Sequence, residues 1–164
     1  MLATLLGALP IFIAEIFLAA AAASLLIFGV FKGKKSTSAV NAGAIAALIF
    51  TTLLSFNAAS SNVVLALNDM FVQTPFISFT KILILISSAL CLILFHSHAP
   101  YVAKVRRFEY PVLLLFSVLG MLVMVSSANF MVFYMGLELQ SLAIYILAAS
   151  SRKNIKSSEA GLKY

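Results

Sequence analysis

The sequence predicts an all-α, polytopic membrane protein, and three observations lead there. The 164-residue chain is 63% apolar and only 10% charged, with a mean hydropathy of +1.11. A soluble domain carries about 25% charged residues, so this composition cannot supply a water-facing shell. Apolar residues gather in five runs, at 10–31, 39–56, 76–95, 110–127 and 129–149, each having the ~18–22 residues a helix needs to cross a bilayer. Within the runs apolar and polar residues do not alternate, which argues against a barrel of tilted strands. Lipid offers no partner to an unpaired backbone group, which leaves helices. Residues 1–164 therefore read as a single membrane domain of five transmembrane helices plus the start of a sixth near 157.

Each break between runs has a physical cause. Lys32-Gly33-Lys34-Lys35-Ser36 joins charge to a helix stop, and the polar stretch 57–74, with Asn68-Asp69, leads into Pro75. Residues 96–107 hold Pro100 and the basic Lys104, Arg106 and Arg107. Pro111 suits the first turn of the fourth helix, where a missing N–H costs nothing. Glu109 just before it complements the positive end of that helix. Ser126-Ser127-Ala128-Asn129 predicts a tight connection into the fifth helix. Ser157-Ser158-Glu159 is a helix-entry pattern, so a sixth helix begins close to Tyr164.

The charges fix an expected orientation. Lys32, Lys34 and Lys35 follow the first helix, Lys104, Arg106 and Arg107 the third, and Arg152, Lys153, Lys156 and Lys163 the fifth. The second and fourth connections have none. By the positive-inside rule the N-terminus lies outside and the C-terminus in the cytoplasm. The net charge of +6 is thus a topology signal and not a nucleic-acid surface. No basic residue precedes the first run, which argues against a cleaved signal peptide. The lone Cys91 allows no intramolecular disulfide and reads as a small buried hydrophobe.

The polar residues inside the helices carry the functional reading. Glu138 stands about nine residues into the fifth run, near the centre of a hydrocarbon layer about 30 Å thick. A charge at that depth costs roughly 2.5–3.5 kcal/mol on insertion scales, and such residues usually mark an ion or proton path. Tyr134, Glu138, Ser141 and Tyr145 are spaced four, three and four apart, which places them on one helical face within about 100° of arc. A carboxyl flanked by hydroxyls suits a hydrated line along which a proton arrives and leaves; the alternative is a structural carboxyl satisfied by neighbouring helices. Gly136, Gln140 and Ala143 lie opposite, a pattern for close helix packing.

No basic residue sits at the depth of Glu138 in these runs, so its cationic partner lies outside the chain or the acid keeps its proton. Lys81 stands near the outer end of the third helix, where it can snorkel. Glu15, also near the outer surface, reads as an interfacial acid. His96 and His98 read as solvated interfacial residues, since no further ligand completes a metal set. No phosphate loop, Ser-His-Asp set or CxxC pair occurs, so neither a cofactor-binding nor a metal residue is assigned.

The stretch 108–164 resembles a known family. GLELQSLAIYILAA (136–149) and SEAGLKY (158–164) are its most specific words, and they are similar to subunit N of bacterial NADH:quinone oxidoreductase, respiratory complex I, whose mitochondrial counterpart is NADH dehydrogenase subunit 2. Residues 1–107 fit by helix number and orientation.

The resemblance implies an antiporter-like proton channel in which the Glu of GLEL, here Glu138, is the fifth-helix acid. It implies a Lys partner in a later helix, with further relay lysines beyond. Family members have about fourteen helices, so the chain reads as an N-terminal portion whose missing C-terminal helices are partners, as are the other membrane subunits. The implied enzyme couples quinone reduction to proton pumping. NADH, FMN, iron–sulfur clusters and quinone belong to the complex, with no redox catalysis in this chain. The implied location is the bacterial cytoplasmic membrane, in preference to the mitochondrial inner membrane. Mrp-type cation/proton antiporters and membrane-hydrogenase subunits are rivals within the same clan, and a non-catalytic assembly subunit is the rival outside it.

Overall fold

A computed structural model of the chain describes residues 2–32, 37–57, 63–67, 69–98 and 108–149, together with Ser157, Glu159, Gly161 and Lys163. The side chains of 2–11 and 96–98 lie outside the description. The elements run α1 (Leu2–Lys32), α2 (Thr37–Asn57), β1 (Val64–Ala66), β2 (Phe71–Gln73), α3 (Pro75–His98), α4 (Glu109–Ser126) and α5 (Phe130–Ala148). Five helices are long and apolar enough to span a membrane. The basic segments 33–36, 99–107 and 150–156 fall outside the described residues.

The helix bounds follow local chemistry. Thr74 precedes Pro75, and its Oγ1 accepts a hydrogen bond from the Ile77 N–H at 3.2 Å, so α3 opens on a capping hydroxyl followed by proline. Asn129 caps α5, its side chain accepting from the Met131 N–H at 3.0 Å. Residues 127–129 alone join α4 to α5, the tight connection expected. α1 begins eight residues earlier than position 10, because 2–9 is a largely apolar segment with no charge or proline to stop it; the spanning part is Phe12–Lys32. Hydroxyls inside the apolar layer bond back to their own helices: Thr51 to the Ala47 carbonyl at 2.7 Å and Ser126 to that of Leu122 at 2.9 Å, which satisfies them without a second helix.

The first four helices form a ring. α1 packs on α2, α2 on α3, α3 on α4 and α4 on α1. Each contributes leucine or small residues to one buried core: Leu18 and Ala22 from α1, Ala44 and Leu48 from α2, Leu85 and Leu92 from α3, and Leu115, Val118 and Leu122 from α4. α5 lies outside the ring against α4. A Cβ on Gly120 would stand 2.7 Å from the Gln140 nitrogen, and one on Gly136 2.8 Å from the Met124 nitrogen. The backbones touch there because neither position has a side chain, as the Gly136–Ala143 pattern predicted. Gly136 and Ala143 are the buried residues of α5.

Two expectations are corrected. The second connection is not merely polar: Val64, Leu65 and Ala66 pair antiparallel with Gln73, Val72 and Phe71. This β-hairpin closes one end of the ring. Its turn holds Leu67 and Asp69 at φ of 51° and 61°, a region that non-glycine residues rarely occupy. Cys91 is exposed on the apolar outside of α3 and not buried, because the buried face of α3 is set by Leu85, Ser88 and Leu92. Beyond α5, Ser157, Glu159, Gly161 and Lys163 are helical, and the Ser157 hydroxyl donates to the Ala148 carbonyl at 2.6 Å. Helix thus occurs where the sixth was expected to start.

Candidate functional site

Besides Glu109, the first residue of α4, the spanning helices hold two acids, Glu15 and Glu138, and the bundle treats them differently. Glu138 stands eight residues past Phe130 in a helix that ends at Ala148. A rise of ~1.5 Å per residue puts it about 12 Å from one end and about 15 Å from the other. It is half-buried, with Ser141 and Tyr145 also half-buried and Tyr134 exposed at 53%. The four therefore share the side of α5 that the ring does not cover. Ser141 donates its hydroxyl to the Leu137 and Glu138 carbonyls of its own helix, at 2.9 and 3.1 Å. Among the described residues no cation reaches the Glu138 carboxylate.

Glu15 and Lys81 depart from their expected readings. The Glu15 carboxylate and the Lys81 ammonium form an ion pair at 2.6 Å, with side chains 9% and 3% exposed. Both groups turn into the bundle and pair there, so the lysine does not snorkel and the acid is not a solvated one. Glu15 is three residues into the α1 span and Lys81 six into α3. Both point inward at the hairpin end of the ring, where they meet across its diagonal. Lys81 also donates to the Gln73 side-chain oxygen at 3.0 Å, and the Gln73 amide donates to the Ser78 hydroxyl at 2.9 Å. Gln73 belongs to β2, so the hairpin supplies part of the site.

Over this cluster lies an apolar cover. Ala66 is buried against Phe12, Val64 and Phe71, and the Phe12 and Phe71 rings meet edge-on at 4.9 Å. The second oxygen of Glu15, Oε2, is buried without a hydrogen-bond partner, as is the Ser55 hydroxyl near the same end of α2. The hairpin also reaches α5: Phe71 bridges Ser127, and the Ala128 N–H donates to the Met70 carbonyl at 2.9 Å, one residue before the Asn129 cap. Sequence reasoning missed the pair because its members are 66 residues apart. The available signal was an acid and a base of opposite charge, each assigned to the same side of the layer.

Comparison with known proteins places the chain. The family model described as NADH:quinone oxidoreductase/Mrp antiporter, TM, matches residues 127–164, which include all of α5. NADH-quinone oxidoreductase subunit N of Paramagnetospirillum magneticum is 44% identical over 152 residues, covering 92% of this chain and 30% of the relative. Subunit N of Pelagibacter ubique is 44% identical over 150 residues, with coverage of 92% and 31%. Subunit N 1 of Rhizobium meliloti is 41% identical over 162 residues, with coverage of 98% and 33%. The chain spans about a third of the length of these relatives. The chain, with five helices long and apolar enough to span a membrane, is thus similar along nearly its whole length to subunit N of NADH-quinone oxidoreductase.

Proposed function

We propose that this chain is part of a proton-translocating membrane subunit of NADH-quinone oxidoreductase, with Glu138 as its proton-carrying acid. The observation that carries the reading is the placement of Glu138. It sits at mid-depth on the uncovered side of α5, the helix that the matched family segment contains. A carboxylate there is penalised unless it meets a cation or takes a proton. The open side leaves it accessible to a cationic side chain from a helix outside the described residues. Tyr134, Ser141 and Tyr145 line the same face and support a hydrated approach.

The partners in this reading are the remaining helices of the subunit, the other membrane subunits and the lipid of the bacterial cytoplasmic membrane. The hairpin end of the ring faces outward and the Lys32 end faces the cytoplasm. NADH, flavin, iron–sulfur and quinone chemistry belongs to other parts of the complex. In this reading no redox step is routed through this chain.

The test is Glu138→Gln in the assembled complex. Proton pumping should fall while assembly is retained, because Gln keeps the shape and loses the ionisable group. Glu138→Asp should keep more of the activity. Wild-type pumping in an assembled Glu138→Gln complex would refute the assignment.

A further inference from the structure

We propose that Glu15 and Lys81 form a second proton-exchange site, at the hairpin end of the ring, in which Glu15 takes and releases a proton through water held at its free oxygen beneath the hairpin.

Four observations support it. First, the pair is ionisable and nearly fully buried inside spanning helices, where such groups are rare and tied to function. Packing alone does not require it: replacing a buried ion pair by apolar side chains of similar volume is often neutral or stabilising. Second, Glu15 Oε2 is buried with no protein partner. A carboxylate oxygen in that state is costly, and a water molecule satisfies it. The other unsatisfied buried side-chain atom among the described residues, Ser55 Oγ, belongs to the same end of the bundle.

Third, Lys81 does not depend on Glu15 alone. Gln73 Oε1 accepts from the same ammonium at 3.0 Å. When Glu15 is neutralised, the ammonium keeps a neutral acceptor, so the lysine stays in place through the exchange. Fourth, the cover is thin and locally strained. The two-stranded hairpin whose Gln73 bonds Lys81 carries left-handed Leu67 and Asp69 in its turn. Non-glycine residues in that conformation persist where surrounding structure holds them and cluster at sites that move.

The step balances simply. Oε2 accepts one proton from the held water, which takes a replacement proton from solvent and is restored; the carboxyl becomes neutral and Lys81 keeps its hydrogen bond to Gln73. On release Oε2 returns that proton to water. Other titratable groups on the surrounding described elements stand apart from the exchange. Lys32 and Glu109 lie at the opposite end of α1 and α4, with Tyr110 beside Glu109. Asp69 is exposed on the hairpin turn, and Glu138, Tyr134 and Tyr145 are on α5. Cys91, His96 and His98 lie towards the far end of α3, and α2 has none.

The experiment is infrared difference spectroscopy of the chain in phosphatidylcholine vesicles, comparing acid with alkaline buffer. The expected result is a carboxyl signal that persists in Glu138→Gln and is lost in Glu15→Gln. A spectrum unchanged by Glu15→Gln would overturn the proposal. Phe71→Ala, which thins the cover, should speed the response of that signal to deuterated buffer; an unchanged rate would remove the hairpin from the mechanism.

The second arm rests on the proposed function above and uses the assembled complex carrying Glu15→Leu with Lys81→Met. This apolar pair preserves packing, so the complex should assemble while moving fewer protons per quinone reduced. A wild-type ratio would show that the pair is only a structural tie. Because Glu138→Gln is assayed separately, failure of either assignment leaves the other standing.

Discussion

At Lys81 one side chain satisfies two elements at once, so its loss should be felt beyond its own helix. Lys81→Met removes the cation from Glu15 and the donor from Gln73. Stripping one partner from a buried ion pair costs about 3–5 kcal/mol. We expect the single variant to unfold in detergent at clearly lower temperature than wild type, and Glu15→Leu with Lys81→Met to recover most of the loss. Circular dichroism melts compare the three, and a single variant as stable as wild type would contradict the buried geometry. Glu138 was legible in the sequence because its depth and its hydroxyl neighbours are properties of one helix. The Glu15–Lys81 pair was not. Each residue alone, near a helix end, has a cheap solvated solution, and only the ring that sets α1 diagonal to α3 removes that solution from both.

Among the elements, α5 is held to α4 where the two backbones touch at Gly120 and Gly136. Gly136→Val should break the α4–α5 seam, since a Cβ there meets the Met124 nitrogen at 2.8 Å and the Gly120 carbonyl oxygen at 2.9 Å. Those are backbone atoms that cannot swing away, and overpacking of this kind costs typically ~1–3 kcal/mol or more. A control is Leu142→Val on the exposed side of α5, expected to change stability by less than about 0.5 kcal/mol. Asn129→Ala should cost about 1 kcal/mol by removing the α5 cap. Denaturation of the three variants under one detergent condition would rank them, and a Gly136→Val no weaker than Leu142→Val would show that α5 is not seated through this seam. Helix positions were readable because apolar run length fixes them within a few residues, and the seam because small residues recur on one face. The hairpin was not: its strands have three residues each, too short to display a period, and only Asn68-Asp69 signalled a turn there.

For the whole molecule, the distribution of burial separates a closed ring from an attached helix. In α4, 44% of the spanning window is buried; in α5 the share is 11%. Phe130, Met131, Tyr134, Met135 and Ile146 are exposed on α5, alongside the half-buried Glu138. A lipid environment accepts the apolar members of that face but penalises the carboxylate, which has no described cation near it. Two helices from different copies that turn these faces together would shelter both acids, so the chain should self-associate in detergent in a concentration-dependent way. It should also fail to conduct protons by itself, because a path through Glu138 needs a second group to receive the proton at the same depth. Purified chain in liposomes, given an imposed potential and an internal pH dye, should match empty liposomes. Flux above that background that vanishes in Glu138→Gln would mean that these helices already hold a complete path. Flux that survives Glu138→Gln but vanishes in Glu15→Gln would move the conducting route from α5 to the hairpin end of the ring.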